Sequence, residues 1–169
     1  MAARPIVIYG DPVLREKSQP VKQVDREIKE LVSNMVDALR KAQGLGLAAA
    51  QVGVLKRVFI VDCSAVDSNE SLRVFINPEI IDTSEREIEL EEGCLSFPGL
   101  YQKIVRPERV KVRATDIDGN RFELEATGMV GRAILHEYDH LEGKLFIDYL
   151  SPLSRTLIKG RLKKLAQVS

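Results

Sequence analysis

From Asp25 onward, apolar residues return at Ile28, Leu31, Val32, Met35, Val36 and Leu39, the three-and-four spacing of a helix with one buried stripe. Gly44 supplies its stop. Ahead of it, Asp11 followed by Pro12 reads as the cap and first position of a short turn ending near Pro20. Beyond Gly44 the period shortens. Residues 57–62, 72–77, 79–90 and 110–116 are rich in Val, Ile and Phe or alternate, and Asp118-Gly119 turns the last of these runs into residues 121–126. This spacing predicts hairpin-joined, mainly antiparallel strands. Helical spacing returns over about 127–142, closed by Gly143, and again from Ser151-Pro152 toward the C-terminus. Because strands and helices are segregated along the chain, the fold class is α+β, with antiparallel, hairpin-rich sheets packed around a central helix and with N-terminal and C-terminal helices.

A length of 169 residues with no repeat, low-complexity tract or linker predicts one domain over residues 1–169. Hydrophobic residues at 44% and charged residues at 30% exclude a disordered chain. Twenty-five basic residues balance 25 acidic ones, so no chain-wide field draws in nucleic acid or anionic lipid, and sequence-specific nucleic-acid binding is not expected. No apolar run reaches the roughly 18–20 residues of a membrane span. Residues 1–9 lack a secretory layout, which predicts a cytoplasmic protein without a membrane partner. Glu85, Glu87, Glu89 and Glu91 alternate at strand period and read as a solvated strand face.

Chemistry enters at His136-Glu137-Tyr138-Asp139-His140, where two imidazoles four residues apart on a helix face the same way and can share a metal ion. The central helix is therefore a metal-binding one. Met129, Ala133, His136 and His140 form one helical row, and Val130, Ile134, Glu137 and Leu141 the next. Glu137 thus sits in an apolar row, where desolvation raises its pKa toward the range of a general base. A catalytic site of this type normally takes a third protein ligand. Downstream candidates fail: the position that an extended motif would need is Phe146, and the last acidic residue is Asp148. An upstream thiolate remains. Cys63 ends an apolar strand and reads as a small buried hydrophobe, whereas Cys94 lies in Glu92-Gly93-Cys94-Leu95-Ser96, where Gly93 permits a sharp backbone path and the Leu95 amide can aim at the site. Gly44-Leu45-Gly46-Leu47-Ala48-Ala49-Ala50-Gln51 follows a helix and precedes a strand, the wrong order for a phosphate loop. Its small residues let backbone approach a ligand, and Gln51 offers an amide donor for an oxyanion.

These three segments, GLGLAAAQ, EGCLS and HEYDH, resemble in order the signature motifs of the bacterial peptide deformylases, and the likeness runs from Asp11-Pro12 through Asp148-Tyr149-Leu150. The resemblance implies Cys94, His136 and His140 as metal ligands and Glu137 as the acid/base. It implies Gln51 and the Leu95 amide as stabilisers of the tetrahedral intermediate, and Gly46 as a backbone contact to the substrate. One divalent metal ion per chain is implied, Fe(2+) natively, with Zn(2+) or Ni(2+) in the same site. The implied reaction is hydrolysis of the formyl group from the N-terminal formylmethionine of a nascent polypeptide, and Leu45, Met129 and Ala133 are placed to line a slot for the Met side chain. Arg132 either rims that slot with its stem or faces solvent. Leu135 and Gly10 stand where the family often has Gln and Pro, and Arg106 with Asp139 makes either a buried supporting pair or a surface one. The tail over 152–166 reads as a basic helix: Ile158, Leu162 and Leu165 form a docking stripe beside Arg155, Lys159 and Lys163, which suits a contact with the ribosome.

Overall fold

A computed structural model describes residues 5–168 and contains three α-helices, α1 (Arg26–Ala42), α2 (Gly128–Leu141) and α3 (Pro152–Val168). Asp25 caps α1 by accepting from the Ile28 N–H at 3.1 Å, and Gln43 closes it in a left-handed conformation at φ 58°. Seven strands accompany the helices: β1 (Gly46–Ala48), β2 (Val58–Val61), β3 (Arg73–Thr83), β4 (Glu87–Gly93), β5 (Tyr101–Pro107), β6 (Val110–Thr115) and β7 (Arg121–Ala126). They form a five-stranded sheet in the order β1-β2-β3-β6-β7 and a separate β4-β5 hairpin, every pair antiparallel.

The sheet lies between two helices, which explains why β2 is apolar throughout instead of alternating. Val58 and Ile60 join Leu47 and Ile76 in a cluster with the apolar stripe of α1. On the opposite face, Phe59, Val61 and Phe75 pack with Ala133, Ile134 and Leu141 of α2. A third cluster ties the β4-β5 hairpin to both ends of the chain: Phe97, Leu100 and Ile104 meet Leu14, Phe146, Ile147 and Ile158. Helix α2 is thereby held between the sheet and the hairpin.

Two strand expectations, residues 72–77 and 79–90, need correction. Residues 72–77 and 79–90 do not make two strands divided at Pro78; β3 passes through Pro78 with shifts in register on either side of Glu79, and Asn77 takes a positive φ of 50° there. The chain then breaks over 84–86, where Ser84 Oγ donates to the Arg86 carbonyl, and resumes as β4 in the other sheet. β1 and β5 are additional strands. Glu85, Glu87, Glu89 and Glu91 are exposed, as their alternation predicts. Gly10 turns at φ 108°, a conformation closed to proline, which accounts for the residue found there. Among the described residues, no helix is long and apolar enough to cross a membrane.

Candidate metal centre and active site

Helix α2 presents His136 and His140 one turn apart, and the residues just after β4 bring Cys94 across to them, so that the three donor atoms all lie within 4.8 Å of one another. Cys94 Sγ and His140 Nε2 are 3.4 Å apart. Metal bonds of about 2.3 Å to sulfur and 2.1 Å to nitrogen, meeting at a tetrahedral angle, hold their donors roughly 3.6 Å apart. The donor set therefore fits one metal ion. Burial, the largest cause, holds His140 well below its ordinary pKa, in the neutral form that ligates.

The second imidazole is oriented from behind. Glu92, the last inward residue of β4 before Gly93, places Oε1 2.9 Å from His136 Nδ1. A carboxylate only accepts, so Nδ1 carries the hydrogen and Nε2 is left for a ligand. Glu92 also receives Arg106 through Nε at 2.6 Å and Nη2 at 3.0 Å, and Arg132 Nη1 at 2.7 Å. Burial works against the Glu92 charge, yet the hydrogen bonds from His136 and Arg106 hold it well below the usual carboxylate range. Arg106 extends the network to Asp139 at 2.7 Å, and the Tyr149 hydroxyl donates to the same Asp139 oxygen at 2.7 Å. The Arg106–Asp139 pair is thus buried. Arg132 lines the cavity and is not solvated: it is 4% exposed and also donates to the Ile104 and Ile88 carbonyls at 2.7 and 2.8 Å, tying α2 to the hairpin. Glu92→Ala would leave two buried guanidinium groups without their shared anion, and should cost about 3–5 kcal/mol of stability in denaturant unfolding. An unchanged midpoint would contradict this account of the network.

Glu137 occupies the adjoining row and is 4% exposed, with its Oε1 lacking a hydrogen-bond partner. Burial pushes its carboxyl up to about 7. β1 passes directly over it: a Cβ built on Gly46 would lie 2.7 Å from Glu137 Oε2, so the close approach needs glycine. Gln51 is buried in the short 3₁₀ turn after β1, where Nε2 donates to Cys94 Sγ at 3.4 Å and to Ser96 Oγ at 3.1 Å. A cavity of about 560 Å³ opens onto these groups, and Leu45, Gly46, Leu95, Met129 and Ala133 are among its lining residues. Cys63 is elsewhere, sealed in the cluster with Phe59 and Phe75, where burial raises its thiol pKa to about 11.

A sequence model of the polypeptide deformylase family matches residues 3–156. The chain belongs to that family. Among its relatives, the peptide deformylase of Thermodesulfovibrio yellowstonii is 48% identical over 163 residues, 96% of this chain and 98% of the relative. Peptide deformylase 1 of Ralstonia nicotianae is 49% identical, over 97% of this chain and 96% of its own length. In three dimensions the chain is similar to the crystal structure of the Legionella pneumophila peptide deformylase, with a TM-score of 0.90 and 40% identity over 99% of this chain and 97% of that one. It is equally similar to the Ehrlichia chaffeensis peptide deformylase in complex with actinonin, at TM-score 0.91 and 39% identity over 97% and 98% of the two chains. Peptide deformylases share this α+β architecture, and as a member of the family the chain is an enzyme.

Proposed function

We propose that residues 1–169 act as one catalytic domain, a metal-dependent hydrolase that takes the formyl group from the N-terminal formylmethionine of nascent polypeptides and releases formate. The observation that carries the mechanism is the unpartnered Glu137 oxygen, buried beside a Cys-His-His donor set of which Cys94 and His136 line the same cavity as Glu137. Cys94, His136 and His140 would hold one divalent ion, Fe(2+) by the family resemblance, with Zn(2+) or Ni(2+) suited to the same donors; bound there, it acts as a Lewis acid toward the formyl carbonyl and acidifies water.

Glu137 accepts the proton of the attacking water through its free oxygen, and its raised pKa lets it hold that proton near neutral pH. Water oxygen adds to the formyl carbon, and the carbonyl oxygen gains negative charge. The Gln51 amide and the Leu95 backbone N–H donate to that oxygen. Glu137 then delivers the proton to the departing amine, the C–N bond breaks, and formate and a free N-terminus result. Gly46 lines the cavity, where its backbone can meet the peptide along β1, while Leu45, Met129 and Ala133 give the methionine side chain apolar walls. A charged first side chain would have to enter those walls unpaired. Formyl-Met peptides should therefore exceed formyl-Asp peptides in kcat/KM by about 10²-fold or more. Equal values would rule out this slot.

A substrate met during its own synthesis places the enzyme in the cytoplasm, and α3 supports a contact with the ribosome. Ile158 is buried against Phe97 and Phe146, whereas Arg155, Lys159 and Lys163 are exposed on the adjoining row. Reversing charges tests this contact without uncovering the Ile158 cluster. Lys159→Glu with Lys163→Glu should leave turnover of short peptides unchanged and reduce co-sedimentation with ribosomes at low salt. Undiminished co-sedimentation would return the row to a solvated face.

A further inference from the structure

Gln51 can serve an oxyanion only if its amide is held the right way round. One end is fixed by the backbone: the Ala48 N–H donates to Gln51 Oε1 at 2.9 Å, and a backbone N–H facing that atom requires it to be the oxygen. The other end carries two N–H groups. One bonds Ser96 Oγ at 3.1 Å, and the second contact of Nε2 is Cys94 Sγ at 3.4 Å, on the side of the metal ligands. Ser96 is fully buried at 0% exposure, and Gln51 is 1% exposed, so no solvent molecule substitutes freely for either.

The backbones of both residues are stapled by one segment. The Val7 N–H donates to the Gln51 carbonyl at 2.7 Å, and the Tyr9 N–H donates to the Ser96 carbonyl at 2.9 Å. Residues 51 and 96, distant in sequence, are thus set at a fixed separation, and the hydroxyl–amide bond closes between two immobile supports. The terminal torsion of a glutamine side chain is broad when nothing constrains it. With the hydroxyl removed, the amide keeps its bond to Ala48 but gains freedom to swing Nε2, and one buried N–H loses its acceptor.

We infer that Ser96 is a positioning residue: its buried hydroxyl takes one N–H of Gln51 and so holds the other on the side of Cys94 and the metal ligands, from which it exchanges the sulfur for the oxygen that becomes charged in the reaction. This rests on the reading of Gln51 as an oxyanion donor. Ser96 itself touches no reacting atom. It acts through Gln51, which makes its contribution conditional on the glutamine being present.

A double-mutant cycle with Ser96→Ala, Gln51→Ala and the pair tests this on the metal-loaded enzyme with a formyl-Met peptide. Gln51→Ala should lower kcat by about 10²-fold, the low end for loss of one oxyanion donor. Ser96→Ala should lower kcat by about 5–20-fold, a fraction of that, and leave KM within about 2-fold because the interaction strengthens only in the transition state. Metal content should stay at the wild-type value, and Tm should fall by no more than the few degrees that one unpaired buried N–H costs. In the Gln51→Ala background the same serine change should add less than about a 2-fold loss. A full multiplicative loss in the double variant would overturn the proposal, as would wild-type kcat in Ser96→Ala. Loss of metal or a large fall in Tm would assign the hydroxyl to packing and overturn it too. If Gln51→Ala alone proved harmless, the donor reading would fall and the serine proposal with it, an outcome visible from that single variant.

Discussion

Cys94→Ala is expected to remove both the metal and the activity, while Cys63→Ala leaves both near wild type. The donor set holds three atoms, and deletion of the thiolate leaves two imidazoles, one fewer than a site with an open position requires. Loss of an outer partner of a metal ligand typically costs about 10–100-fold in affinity or activity, and loss of the ligand itself should exceed that. Cys63 offers no replacement. It is 1% exposed, its thiol is held protonated by burial, and it packs among aromatic and branched side chains on the α2 side of the sheet. Elemental analysis of the purified variants beside a formate-release assay gives the comparison directly. A metal-free Cys63→Ala protein alongside a loaded Cys94→Ala protein would reverse the ligand assignment.

Glu137→Gln separates binding of the metal from use of it. The amide matches the carboxylate in size, so it keeps the place beside Gly46 that the absence of a Cβ leaves to it. It cannot cycle a proton. Metal content should therefore persist while kcat falls by about 10²–10⁴-fold, the usual cost of losing a general acid/base, with little change in KM. Turnover within a few-fold of wild type in the loaded variant would remove Glu137 from the reaction.

Legibility in the sequence followed the strength of local signals. α1 is capped by Asp25, both α1 and α2 carry a sustained helical period, and both were readable to within a residue or two. β1 was hidden because three small or apolar residues buried on both sides have no alternation to read. β5 was hidden because its inward positions are Ile104 and then Arg106, a charged residue where the pattern asks for an apolar one. The long run over 79–90 read as one strand since nothing local reveals that its halves belong to different sheets. Glu92 had a usable signal that the acidic run concealed. Glu85, Glu87, Glu89 and Glu91 share one face, whereas Ile88, Leu90 and Glu92 share the other, so period two already turned Glu92 inward. Arg132 lies four residues before His136 on the same helix face, which likewise pointed it toward the network behind the ligand. What spacing could not supply was the partner of each, because Glu92, Arg106 and Arg132 meet only when the hairpin closes on α2.

The central claim is a one-ion hydrolase acting on formylated methionine, and a metal titration followed by formate release measures it most directly. Metal-stripped enzyme is reloaded in steps with Fe(2+) under anaerobic conditions, and formate from a formyl-Met peptide is recorded against bound metal at each step. The account predicts no formate without metal, a linear rise, and a plateau at one ion per chain. Full turnover by the stripped enzyme, or a rise that continues to two ions per chain, would contradict it.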